Sequence, residues 1–129
     1  MDKRHELTTR VAREKFARAH ALGVPVPKIT HVGWGDGGVD VDGNLVLPAD
    51  TVSEVPGEFI RKPIDTATHD GLTATFLLTL LGTDTNAVGK ALSSCGLYDE
   101  DGDLLAVACF SVKTVNENSR IEIEWNEVF

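Results

Sequence analysis

The sequence contains only two cysteines, one methionine and one tyrosine, and aromatic residues make up 6% of its 129 positions. Cys95 and Cys109 are too few for a disulfide framework, and a zinc site would need closer spacing and nearby histidines. We therefore expect two buried, reduced thiols and no bound metal.

Long apolar segments are also missing. The longest apolar run, Leu104–Phe110, is far shorter than the roughly 20 residues that a helix needs to span a bilayer. The opening residues, MDKRHELTTR, lack the apolar stretch of a signal peptide. We expect a protein that is made and folded in a cytoplasm and has no membrane partner.

Basic side chains are scarce, because 12 Lys and Arg stand against 20 Asp and Glu and the net charge is −8. Residues 1–20 hold six basic and three acidic side chains, whereas residues 21–129 hold six basic and seventeen acidic ones. An acidic body repels the phosphates of nucleic acids and anionic membranes, so we expect no nucleic acid partner. The basic segment either contacts an acidic partner or forms a solvated helix face.

The length and an apolar content of 42% are typical of one globular domain, which we place at residues 1–129. Apolar residues recur at three- to five-residue steps over residues 7–22 and predict an amphipathic helix there. Gly23 suits the left-handed position after the last turn, and Pro25 prevents continuation. The pattern predicts an N-terminal helix that ends at residue 22.

β-Strand patterns occupy much of the remaining chain. They cover 28–34, 58–62, 64–68, 72–81, 104–110 and 120–127, with hairpin turns at His69–Gly71 and Asp101–Gly102. The apolar strand at 104–110 is typical of a strand covered on both faces. The last two strands are predicted to pair with each other. The fold class that follows is α+β, with the N-terminal helix packed on an antiparallel β-sheet or small β-sandwich.

The strand at 120–127 alternates strictly between apolar and polar residues. Ile121, Ile123 and Trp125 share one face, and Glu122 and Glu124 lie on the other. The acidic face is expected to be solvated or to face a partner. Trp125 and Trp34 are expected to be core or interface anchors.

Two Gly/Asp-rich segments, 35–44 and 98–103, are the first candidates for a metal site. An EF-hand loop needs Asp at position 1, Gly at position 6 and Glu at position 12. Placing Gly43 at position 6 puts Gly38 and Ala49 at positions 1 and 12, and placing Gly102 there puts Leu97 and Ala108 at them. Both registers lack ligands, so the segments predict tight turns. A small ligand- or calcium-binding module that uses these acidic turns in another geometry remains the alternative function.

No pattern typical of catalysis is present. The glycines at 33–38 are followed by VDVD, and not by a helix that begins with Lys and Ser or Thr, so they do not form a phosphate-binding loop. The histidines at 5, 20, 31 and 69 are not spaced for a shared metal, and no Gly-x-Ser-x-Gly elbow occurs. We expect no enzymatic activity, no catalytic residue and no cofactor.

Four motifs in order resemble the N-terminal domain of bacteriophage tail-collar fibre proteins. They are the helix pattern at 7–22, KITHVGWGDGG at 28–38, EFIRK at 58–62, and GLYDEDG at 96–102 followed by LLAVA at 104–108. The last of these stretches is the most distinctive. The resemblance covers nearly the whole chain.

The resemblance implies a structural protein of the virion tail, synthesised in the bacterial host cytoplasm. It implies a connection between tail fibre and baseplate through protein–protein binding, with phage baseplate or tail proteins as partners and a homo-oligomer, in the family a trimer. Such proteins continue into a shaft and a receptor-binding tip. Because this sequence ends at Phe129, we expect the attachment module without that reach.

The same resemblance singles out two turns as candidate structural or interface positions. The first consists of Gly35, Asp36, Gly37 and Gly38, and the second includes Gly96, Leu97, Tyr98, Asp99 and Gly102. We expect these turns to set the shape of the domain and its partner contacts.

Overall fold

The computed structural model describes residues 4–129, with side chains from Glu6 onward. One helix and eight strands follow in this order: β1 (Arg4–Thr8), α1 (Arg10–Leu22), β2 (Ile29–Gly35), β3 (Glu58–Pro63), β4 (Thr66–Asp70), β5 (Thr73–Leu81), β6 (Ala91–Asp99), β7 (Leu104–Thr114) and β8 (Arg120–Val128). Strands account for 49% of the structure and helix for 10%.

The predicted α+β fold class is wrong, because the structure is mostly β and its main core lies between two antiparallel sheets. The single helix buries only Ala12, while Val11 and Leu22 are exposed. The spacing that predicted a helix from residue 7 combined Leu7, which belongs to β1, with residues of α1. The helix therefore contributes little to the core.

Thr9 separates β1 from α1 and fixes the start of the helix. Its Oγ1 accepts the N–H of Ala12 at 3.2 Å and donates to the carbonyl oxygen of Leu104 at 2.7 Å. These bonds cap the helix N-terminus and tie it to β7. Gly23, with φ of 70°, ends the helix as predicted. Among the described residues, no helix is long and apolar enough to cross a membrane.

The strands form two sheets with only antiparallel neighbours. The large sheet has the order β1-β7-β6-β2-β3, and the small sheet has the order β4-β5-β8. β6 and β7 form a hairpin in which Gly102 has φ of 84°, and β4 and β5 form one in which Gly71 has φ of 58°. Both hairpin turns predicted from the sequence are confirmed.

The main core fills the space between the two sheets. Trp34 of β2 and Trp125 of β8 are both fully buried there, as the sequence predicted for core anchors. Leu78 and Leu80 of β5 pack in the same cluster. The alternation of β8 is also confirmed, because Ile121 and Ile123 pack against this core while Glu122 and Glu124 are exposed.

The long segment between β2 and β3 covers the other face of the large sheet. Its Val55 packs against Tyr98, Leu104 and Val107 in a second apolar cluster. The run Leu104–Phe110 is therefore buried throughout, as expected of a strand covered on both faces. Both cysteines are buried thiols that are not joined in a disulfide, in agreement with the sequence prediction.

Two features of the strand pattern were wrongly predicted. β7 and β8 do not pair with each other, because β7 lies between β1 and β6 whereas β8 pairs with β5 in the small sheet. β6 was not predicted as a strand, since Ser93, Ser94 and Gly96 have low β propensity. Part of the predicted turn at 96–102 is consequently strand.

Candidate functional site

The loop Gly35–Gly38 packs its backbone directly against the segment that precedes β3. The N–H of Asp36 donates to the carbonyl oxygen of Gly57 at 3.2 Å, and the N–H of Gly37 donates to that of Pro56 at 3.0 Å. A Cβ atom at Gly35 would lie 2.3 Å from the Pro56 oxygen. Glycine is needed here because two backbones are in contact.

Two serines of β6 fix the same loop and the segment before β3. The N–H of Gly38 donates to Ser93 Oγ at 2.9 Å, and Ser94 Oγ donates to the carbonyl oxygen of Pro56 at 2.8 Å. A Cβ atom at Gly38 would lie 1.9 Å from the carbonyl oxygen of Ser93. The loop is therefore held on two sides, and of its four residues only Asp36 is exposed.

Tyr98 connects β6 to β3 through its buried side chain. The phenol donates to a carboxylate oxygen of Glu58 and accepts the N–H of Val55 at 3.0 Å. The guanidinium of Arg61 lies 3.5 Å from the centroid of the Tyr98 ring and pairs with Glu58. Burial, together with the hydrogen bond to Glu58, raises the pKa of the Tyr98 phenol above its usual range.

Paired glycines make room for the side chains of Tyr98 and Val55. Gly33 of β2 lies opposite Gly96 of β6. A Cβ atom at Gly33 would be 2.8 Å from the Tyr98 ring, and one at Gly96 would be 2.7 Å from Val55. Gly96, the first glycine of the GLYDEDG motif, is therefore required because a side chain there would collide with Val55 and Leu104.

Asp99 organises the turn between β6 and β7. Its Oδ1 accepts the N–H groups of Asp101 and Asp103, each at 3.0 Å. The N–H of Gly102 donates to the carbonyl oxygen of Asp99 at 2.9 Å. This carboxylate takes the place of a backbone acceptor in the turn, which is a usual role for aspartate.

Lys15 of α1 places its ammonium among three carboxylates of this turn. Its Nζ lies 2.5 Å from Asp99, 2.7 Å from Asp103 and 3.2 Å from Asp101. Burial alone would lower the pKa of Lys15, but hydrogen bonds to Asp103, Asp99 and Asp101 outweigh that effect and raise the pKa above its usual value. The helix is thereby joined to the turn by a network of charges.

The three carboxylates would otherwise suit a hard cation. Their oxygen atoms lie within 4.8 Å of one another, a spacing that a calcium ion could bridge. The positive charge at their centre is the ammonium of Lys15 itself. This geometry does not favour the calcium-binding alternative, because an ion would first have to displace Lys15.

Sequence reasoning missed this cluster for two reasons. The EF-hand pattern is defined by its glycine and by its first and twelfth positions, so it does not detect the alternation of Asp99, Asp101 and Asp103. That alternation was visible in the sequence. The position of Lys15 had no local signal, because the residue belongs to a distant helix.

A cavity of about 330 Å³ opens between the ends of the sheets beside α1. Most of its lining is apolar, and it includes Phe16, Phe76, Leu97 and Phe129. Lys28 and Glu127 are the charged residues that line it. This composition suits contact with apolar groups.

The nine candidate residues thus lie in two separate arrangements. Gly35, Asp36, Gly37 and Gly38 pack against the segment before β3, while Asp99 and Gly102 shape the β6–β7 turn. Tyr98 faces the segment before β3 as well, Gly96 lies against Val55 of that segment, and Leu97 belongs to the main core. Their structural role is visible in these contacts, and their role in an interface stays a prediction.

A family model described as phage tail-collar fibre protein, N-terminal, matches residues 1–119. The chain belongs to this family. The resemblance inferred from the four motifs is therefore confirmed. No curated protein and no solved structure gives a significant match. The matched range includes both glycine-containing motifs and ends immediately before β8.

Membership of the tail-collar fibre family indicates the general role of the chain. The family is structural, and the chain is a component of the phage tail in the virion. The buried contacts of Gly35, Gly38 and Tyr98 are in keeping with this role, because they fix the shape of the domain.

Proposed function

We propose that this chain is an attachment module that connects a tail fibre to the baseplate by binding other tail proteins. The observation that carries the proposal is the family match over residues 1–119, which includes every element from β1 to β7. The partners are baseplate or fibre proteins of the same phage, whether that phage is active or a prophage. The chain is synthesised in the host cytoplasm before assembly.

The internal contacts support an attachment role by fixing the surface before binding. Gly38 is held by Ser93, Tyr98 is held by Glu58 and Val55, and Lys15 joins the helix to the β6–β7 turn. A surface that is already ordered loses less conformational entropy when a partner binds. A rigid module is suited to a permanent joint in a particle.

We assign the partner contacts to the exposed parts of the two candidate turns. Asp36 is the exposed residue of the first turn, and Gly102 is exposed in the second. The remaining candidate residues are buried or partly buried and act through the shape they impose. Assembly as a homo-oligomer, with the trimer of the family as the expected form, would present several such turns to one baseplate.

Incorporation into tail particles tests this function. Bacteria that produce the particles would express the full chain, either native or with Asp36→Arg, and mass spectrometry would quantify the chain in purified tails. Asp42→Arg is the matched control, because Asp42 is also exposed and the charge change is the same. Thermal unfolding of each variant would verify that it folds.

We expect the native chain and Asp42→Arg to enter tails equally, and Asp36→Arg to be depleted. Depletion of Asp36→Arg with normal thermal stability would place the first turn in the contact. A native chain that is missing from purified tails, and that recovers no tail protein when used as bait, would contradict the proposed function.

A further inference from the structure

β8 forms one edge of the small sheet, and half of its backbone groups point away from β5. The N–H of Phe129 donates to the carbonyl oxygen of Leu72, and the N–H of Gly82 donates to that of Ser119. Hydrogen-bonded pairs alternate along an antiparallel ladder, so odd-numbered residues of β8 bond to β5. The outward-facing backbone groups belong to Arg120, Glu122, Glu124, Asn126 and Val128.

These outward groups are open to a partner. Among residues 4–129, β8 has β5 as its only neighbouring strand, so no strand lies on the side to which these groups point. No other backbone group of these residues bonds to them. β8 is nine residues long, whereas the edge strand β4 at the other side of the same sheet has five. An open edge of this length is a template for an added strand.

The side chains beside this edge carry negative charge. Glu122 and Glu124 point to the solvent face, and Arg120 pairs with Glu122 at 2.6 Å. Glu124 has no ion-pair partner among the described residues. Antiparallel pairing of all nine residues of two β8 strands would place Glu124 opposite Glu124, and like charges directly opposite each other are unfavourable. The charge pattern therefore selects a different strand, with basic residues opposite the glutamates.

On the opposite face of β8, apolar side chains beside the edge remain partly exposed and could contact such a strand. Ile121 and Ile123 are only partly buried although they pack against the main core. Apolar residues of an added strand would lie beside them and extend the core. The pattern that fits the edge is an alternation of basic and apolar residues.

We propose that the edge of β8 binds an extended strand of a partner protein in which Lys or Arg alternates with apolar residues. The partner strand pairs with the outward backbone groups of β8, its basic side chains face Glu122 and Glu124, and its apolar side chains cover Ile121 and Ile123. This inference rests on the proposed function, because it names one surface through which a tail protein is bound.

A synthetic peptide of alternating Lys and Val, blocked at both ends and about nine residues long, is the probe. The full chain would be titrated with this peptide and with a twin in which Glu replaces Lys. Hydrogen exchange measured by mass spectrometry would locate the peptide. We expect the Lys peptide to bind more tightly than the Glu peptide and to slow exchange in residues 120–128.

Two variants at one position separate strand pairing from simple charge attraction. Asn126→Pro removes an outward N–H without removing a bond to β5, and Asn126→Thr loses the same side chain but keeps the N–H. We expect proline to weaken binding of the Lys peptide about tenfold relative to threonine, because pairing loses a hydrogen bond and meets the proline ring. Glu124→Lys should shift the preference towards the Glu peptide.

Equal binding by Asn126→Pro and Asn126→Thr, with both folded by thermal unfolding, would overturn the proposal. Protection confined to another part of the chain would also overturn it. Failure here would leave incorporation into tails unaffected, since that experiment does not involve the peptide. If the chain binds the peptide but is missing from purified tails, the proposed function is contradicted and strand binding at β8 is not.

Discussion

Lys15 and Asp99 are 84 positions apart in the sequence, yet the ammonium of Lys15 lies 2.5 Å from the carboxylate of Asp99. The side chain of Asp99 is fully buried, and that of Lys15 is 14% exposed. The pair therefore joins the only described helix to the most distinctive motif of the family resemblance. The positive charge of Lys15 offsets part of the negative charge that the three carboxylates concentrate in this turn.

Replacement of Lys15 should destabilise the fold strongly. Lys15→Met leaves the buried Asp99 carboxylate without its cation, and we expect the free energy of unfolding to fall by about 3 kcal/mol. Arg18→Met, on the same helix but exposed, should change it by less than about 0.5 kcal/mol. Urea unfolding would measure both variants. Equal stability of the two would contradict the structural role of Lys15.

Calcium should not stabilise the native protein. Because Lys15 lies among Asp99, Asp101 and Asp103, a calcium ion would have to displace an ammonium that is held by three carboxylates. We expect the melting temperature to be the same with calcium at about 1 mM as with a chelator. A rise of several degrees would revive the calcium-binding alternative.

Tyr98→Phe should lower stability and flatten its dependence on alkaline pH. Loss of the hydroxyl removes the hydrogen bond to one carboxylate oxygen of Glu58 and leaves the N–H of Val55 without its acceptor, which costs about 1 to 3 kcal/mol. The pKa of Tyr98 is raised in the folded state, so its contribution is complete below the unfolded pKa near 10 and is lost as pH rises above that value.

Urea unfolding at several pH values between about 8 and 11 would test the Tyr98 prediction. Lys15 also has a raised pKa and contributes in the same direction, but it is present in both proteins. The stability difference between native protein and Tyr98→Phe should therefore shrink as pH rises above 10. A difference that is constant over this range would contradict the assigned role of the phenol.

Gly38→Ala should be far more damaging than Gly43→Ala. A Cβ atom at Gly38 would lie 1.9 Å from the Ser93 carbonyl oxygen, so the loop and β6 must separate. Gly43 has open space around it but a φ of 82°, so alanine there meets only backbone strain of about 1 kcal/mol. Thermal unfolding would compare them, and a Gly38→Ala protein as stable as Gly43→Ala would show that the loop packing is not required.

Local patterns were sufficient for several elements of this fold. The Asp-Gly pair at 101–102 predicted the β6–β7 hairpin, and the alternation of Ile121, Glu122 and Ile123 predicted both faces of β8. Each of these signals depends on neighbouring residues, because turn angles and strand periodicity are local properties.

The parts that failed depend on distant partners. The predicted helix started at residue 7 because Leu7 continued an apolar spacing. In the structure, Leu7 belongs to β1 and pairs with Val107 of β7. β8 was assigned to the wrong neighbour, since β7 precedes it directly whereas its actual partner β5 is distant in the sequence. The contact of Lys15 with Asp99 had no local signal for the same reason.

Immunogold electron microscopy of the phage that encodes this chain would test the account most directly. An antibody raised against the full chain would be applied to intact virions and to purified tails. The account predicts labelling at the junction between the tail fibres and the baseplate. Unlabelled tails, or labelling confined to the outer end of the fibres, would contradict it.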